Sequence, residues 1–242
     1  GCGHACEFCA IAGYYGPHHH PRSVDAVVAD VASSPHRMHF FVDDNLVANP
    51  ALLRALCARL KPYRILWAAQ GTLEMARDPG LLAAMKDAGC ELVLIGFESL
   101  EAESLARMGK RWSTALGERA ELVKRVHDAG LGIYATFVLG YDGDTRATFD
   151  ATLDFARESR FFTAAFNHLL PFPGTRLYRR LEAEGRLLSP HWWLDDDYHY
   201  GQLAYRPVHL APEPDVHGPV HRPHLRTPAP QRRDPPVDQD AG

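Results

Sequence analysis

Along most of this chain, apolar runs alternate with stretches in which apolar residues recur every three or four positions, and that alternation predicts the secondary structure. In "SVDAVVADVASSP", Val24, Val27, Val28 and Val31 share one helical face behind Ser23, a natural N-cap, and Pro35 closes the run. "MHFFV" follows as a short strand. "NPALLRALCARLKP" opens with Asn49 as cap and Pro50 at the first helical position, and it places Leu53, Leu56, Cys57 and Leu60 on one stripe. "RILWAAQ" is the next strand. The rhythm continues as "DPGLLAAMKDAG" then "ELVLIGFES", "ALGERAELVKRVHDAG" then "LGIYATFVLG", and "DTRATFDATLDFARES" then "FFTAAFNHLLPFPG". Gly89 and Gly130 fall where glycines end helices.

Five helix-then-strand units with continuously apolar strands predict an α/β fold built on a covered parallel sheet. At 242 residues the chain accommodates one large domain. A βα barrel opens on a strand, yet no strand precedes the first helix here. The expectation is therefore a partial (β/α)6 barrel, residues 1–205, whose first strand would lie before Gly1, so that the chain is a fragment. From Arg206 to Gly242 the apolar rhythm stops, and this stretch holds half of the 18 Pro. Residues 206–242 are expected to be a disordered tail, either a linker or the product of a shifted reading frame near Glu213.

Composition narrows the function classes. With 26 Lys plus Arg against 30 Asp plus Glu, the net charge of -4 offers no basic excess for nucleic acid. No run approaches the roughly 18 apolar residues of a membrane span. Of five cysteines, Cys2, Cys6 and Cys9 crowd into the first nine residues, too close for a disulfide framework, which points to a reducing compartment, the cytoplasm.

Three clustered thiols are a metal signal. A structural zinc site is closed by four ligands, and His4, between two of the cysteines, would have to reach back awkwardly to serve as the fourth. Cys57, distant in sequence, sits on an apolar stripe, where free cysteine packs as a small hydrophobe, and Cys90 is distant too. Three thiolates with one position open suit an iron-sulfur cluster, with a non-catalytic zinc-binding domain as the alternative.

The spacing Cys2-x3-Cys6-x2-Cys9, with Phe8 before the last cysteine, resembles the signature of the radical S-adenosylmethionine (SAM) superfamily. "FFVDDN" (Phe40 to Asn45), "GFESL" (Gly96 to Leu100), "YATFVLGYDGDT" (Tyr134 to Thr145) and "NHLLPFPGTRLY" (Asn167 to Tyr178) resemble the subgroup commonly joined to a cobalamin-binding domain, which includes enzymes of hopanoid and other secondary metabolism. The likeness runs from Gly1 to about Glu213. It implies that Cys2, Cys6 and Cys9 hold a [4Fe-4S] cluster, that SAM binds its fourth iron, and that reductive cleavage of SAM starts radical chemistry on a small or lipid-like metabolite. Methyl transfer with cobalamin, carried by a domain outside this chain, is one version; a cobalamin-independent rearrangement or oxidation is another, and an inactive gene fragment a third. A flavodoxin or ferredoxin would supply the electron.

By position after the strands, Asp43 or Asp44 would meet the SAM ammonium, although Asp-Asp-Asn is also a common turn. Glu98 and Ser99 would reach the ribose hydroxyls or the methionine end, with helix capping as the alternative. Gln70 ends its strand as a further candidate. Gly140 would let adenine approach the backbone, or simply serve a turn. Phe8 would pack near adenine or anchor the loop. Tyr14, Tyr15, Asn167 and His168 are candidates for substrate contact, with core packing as the alternative. His18, His19 and His20 are adjacent in a loop, an arrangement that seldom ligates one metal.

Overall fold

A computed structural model describes residues 1–199 and 201–210. Five parallel strands form one sheet: β1 (Met38–Phe41), β2 (Leu66–Gly71), β3 (Cys90–Glu98), β4 (Gly132–Leu139) and β5 (Thr163–His168). Their order in the sheet is their order in the chain, the one-directional winding of a βα barrel. Among the described residues the sheet does not close on itself. The outer edge of β1 carries Met38 and Phe40, both exposed. The expected tail lies, from residue 211 onward, outside the described residues.

The helix starts follow from the chain's own caps. Helix α1 (Ala10–Tyr15) continues directly from Cys9. Before α2 (Val24–Ser33), the Ser23 hydroxyl accepts from the Ala26 N–H, and before α3 (Pro50–Leu60) the Asn49 side chain accepts from Leu52. Asp78 does the same for α4 (Pro79–Asp87). Helix α3 buries its predicted stripe of Leu53, Leu56, Cys57 and Leu60, whereas of the α2 stripe Val28 and Val31 are buried and Val24 and Val27 half-buried. Helices α5 (Ala102–Arg107) and α6 (Arg111–Thr114) lie between β3 and the predicted α7 (Arg119–Asp128), whose apolar face holds Leu122, Val123 and Val126. A capping box of Thr145 and Thr148 opens α8 (Arg146–Glu158), and α9 (Arg176–Ala183) follows β5.

Two cores result. The larger packs α2, α3, α4, α7 and α8 on the sheet around Trp67, Met85, Val93, Ile95 and Phe137. The smaller comprises Leu105, Met108, Tyr141, Leu169, Leu177, Leu181 and Tyr205, with Phe8 packed against it. Because Phe8 belongs to the cysteine loop, that second core is the loop's foundation.

Candidate functional site

Successive side chains of a strand face opposite ways, so strand register decides what shares a face. Gln70 pairs with Leu94, and Gly96 with Thr136, which places these four side-chain positions on one side of the sheet. Over that side the cysteine loop closes a cavity of about 250 Å³. Its lining includes Cys2, Cys6, Cys9, Phe8, Asp44, Gln70, Glu98 and Lys110.

All three cysteines are half-buried. The buried Asn45 amide donates to the Cys2 sulfur at 3.9 Å, the kind of outer contact that steadies a thiolate ligand. Burial pushes the Cys6 thiol up to about 11, while the Lys110 ammonium pulls the other way. Three thiols at one cavity suit a cubane cluster, which takes one thiolate per iron and leaves one iron open.

The floor of the cavity is built around Glu98. Its backbone adopts φ 63°, a left-handed conformation uncommon outside glycine, next to a register shift between Gly96 and Glu98. Lys110 Nζ donates to Glu98 Oε1 at 2.9 Å and to the Gly96 carbonyl at 2.8 Å. A Cβ at Gly96 would stand 2.2 Å from Glu98 Oε1, so only glycine lets the carboxylate fold back there. Lys110 is almost fully buried, and sequence reasoning missed it: it lies in the break between α5 and α6, outside every apolar run. Trp112 was missed too. Its ring stacks on His4 with centroids 3.8 Å apart, and its buried indole N–H, at the cavity, has no acceptor among the described residues. His4 is thus committed: it also meets Glu74 at 3.2 Å and holds that carboxyl below its usual range.

The remaining candidates separate. Asp44 lines the cavity, whereas Asp43 faces a different cavity of about 450 Å³ beside His19, His20 and Arg22. Ser99 is buried and accepts from the Glu101 N–H, the turn role. Gly140 has φ 102° but is absent from the cavity wall; its N–H donates to Asp144 and its carbonyl accepts from the Tyr205 hydroxyl. Tyr14 and Tyr15 are exposed at the end of α1, and Asn167 and His168 are half-buried at the end of β5. His18 and His20 lie with ring centroids 6.2 Å apart. Cys57 and Cys90 are buried in the larger core, away from the other three.

The radical SAM superfamily model matches residues 1–156, which includes the cysteine loop and every other residue of the cavity wall. The chain belongs to the radical SAM superfamily. Membership implies a [4Fe-4S] cluster and SAM. The chain is 30% identical to bacteriochlorophyllide d C-12(1)-methyltransferase of Chlorobaculum tepidum, over 83% of this chain and 44% of the relative. It is 27% identical to the hopanoid C-2 methylase of Rhodopseudomonas palustris, over 78% of this chain and 37% of that one. The chain thus spans less than half the length of these curated relatives. In structure it is similar to the radical SAM methyltransferase TsrM of Kitasatospora setae, solved with cobalamin and a [4Fe-4S] cluster bound (TM-score 0.67, 18% identity, 76% of this chain and 35% of that one). It is similar also to the cobalamin-dependent radical SAM enzyme OxsB (TM-score 0.67, 13% identity, 86% and 38%). These two likenesses are of fold. No helix of the described residues is long and apolar enough to cross a membrane.

Proposed function

We propose that this radical SAM chain is the cluster- and SAM-binding core of a methyltransferase acting on a small or lipid-like metabolite together with cobalamin. The observation that carries the proposal is the single cavity shared by Cys2, Cys6 and Cys9, Asp44, Gln70, Glu98 and Lys110. The named activities of the relatives support methyl transfer, and the solved cobalamin-binding neighbours support the second cofactor.

The donor set fits the implied groups. Cys2, Cys6 and Cys9 would hold the cluster, soft ligands for iron, with the Asn45 amide steadying Cys2. A cluster held there supplies the electron for reductive cleavage of the SAM sulfonium. The chain's own residues bind and orient. Asp44 offers a carboxylate to the SAM ammonium, and Lys110 offers a fixed cation to its carboxylate. Gln70 and the Trp112 indole N–H present neutral polar groups to the nucleoside end. Phe8 walls the cavity, where it would pack near adenine, and it packs against the smaller core.

Anaerobic reconstitution tests the cluster. Cys2→Ala, Cys6→Ala and Cys9→Ala should each lose most bound iron and the visible absorbance, whereas Cys57→Ala and Cys90→Ala should keep both. A full cluster in Cys6→Ala would overturn the ligand assignment. SAM titration then separates the neighbouring aspartates. Asp44→Asn should weaken binding by about 1.5 to 3 kcal/mol, the scale of a charge-assisted hydrogen bond, with iron retained, and Asp43→Asn should leave affinity unchanged.

A further inference from the structure

Glu7, between Cys6 and Phe8, turns away from the cavity into a network that the cluster-binding role does not account for. Both carboxylate oxygens are taken. The Tyr141 hydroxyl donates to Oε2, and Arg180 Nε donates to Oε1 at 2.6 Å. Arg180 continues to Asp142 Oδ2 at 2.7 Å, and Arg186 donates to Asp142 Oδ1 at 2.6 Å. The Glu7 and Asp142 side chains are only 12% and 10% exposed, so these charges are paired largely out of water. The backbone on either side is pinned as well: the Glu7 N–H donates to Met108 at 2.8 Å, and its carbonyl accepts from Leu177 at 3.0 Å. One residue of the cysteine loop therefore holds α5, α9 and the loop after β4 together.

We propose that Glu7 is a positioning residue for the cluster-binding loop, and that its pairing with Arg180 sets the charge balance beside the cluster as well as the loop's place. The proposal rests on the cluster assignment above. A loop that only needed holding could use neutral contacts. A half-buried ion pair one residue from Cys6 also acts electrostatically, and net charge and hydrogen bonding nearby are what tune the reduction potential of an iron-sulfur centre.

The test is a redox titration of the reconstituted chain, followed by electron paramagnetic resonance, with iron content measured in parallel. Glu7→Gln removes a negative charge and should shift the cluster's midpoint potential upward. Arg180→Gln leaves Glu7 without its cation, while Asp142 keeps Arg186, and should shift it downward. The double variant Glu7→Gln/Arg180→Gln should return toward the parent value, and Arg180→Lys, which keeps the charge, should stay near it. A tie that is merely structural predicts instead shifts of one sign, or iron loss, greatest in the double variant; that result, or unchanged potentials in both single variants, would overturn the proposal. If the parent chain itself takes up no four-iron cluster, the cluster assignment fails and this inference with it, a result distinct from altered or unaltered variants of a loaded parent.

Discussion

Lys110 and Glu98 show how much a single buried pair can decide. The ammonium is satisfied by one carboxylate and one carbonyl, and the carboxylate occupies a backbone conformation that costs on the order of 1 to 3 kcal/mol elsewhere. Removing one partner of such a pair leaves a buried charge alone, which typically costs about 3 to 5 kcal/mol, whereas replacing both is far milder. Lys110→Met should therefore lower the urea midpoint sharply, and Lys110→Met/Glu98→Gln should recover much of the loss. Equal destabilisation of both variants would mean that the charges do not depend on each other. Neither the pairing nor the choice between Asp43 and Asp44 was legible in the sequence. Adjacent carboxylates at a strand end face different cavities, and only the turn after β1 decides which is which. The cysteines were legible because their spacing alone places them on one loop.

At the scale of elements, the five helix-strand pairs were readable because each strand holds an apolar run and α3, α4 and α7 turn apolar stripes to the core, although α8 buries Thr148, Thr152 and Ala156 and leaves Phe149 and Leu153 exposed. The short helices were not. Helix α6 has four residues and α5 six, too few turns for a period to emerge, and both form because Lys110 and Met108 are drawn inward between them. Helix α9 is amphipathic, but its sequence was taken up by the proline-rich motif before it. The joint between α4 and β3 gives an element-scale prediction. Gly89 has φ 92°, and a Cβ there would stand 2.0 Å from the Ile65 carbonyl. The Trp67 indole donates to Ala88 at 2.8 Å across the same joint. Gly89→Ala should destabilise by about 1 to 3 kcal/mol from backbone strain alone, with the clash added, and should change Trp67 fluorescence in the folded state. An unchanged unfolding midpoint would show that the joint relaxes freely.

In the whole molecule, the cysteine loop connects parts of the chain that are distant in sequence. The Ala5 carbonyl accepts from Arg176, the Glu7 N–H donates to Met108, and Phe8 packs on the smaller core that Tyr205 also completes. The larger core has no comparable dependence on the loop: its helices pack on the sheet directly. Filling the cavity therefore ought to stabilise chiefly the half of the molecule that the loop organises. A group that binds the folded chain and not the unfolded one adds RT ln(1 + [L]/Kd), about 2.7 kcal/mol at a hundredfold excess over Kd. Bound metal and folding are coupled further because the thiolates converge on their loop only when it is folded. Under anaerobic conditions the iron- and sulfide-loaded chain should unfold at higher urea than the same chain stripped by a chelator, with the gain absent in Cys6→Ala. Hydrogen exchange should locate the added protection at residues 2–9, α5 and α9, with α3 and α4 little changed. Protection spread evenly over both cores would show that the loop is not the seat of the coupling, and no gain at all would mean that the loop is fully ordered by its protein contacts alone.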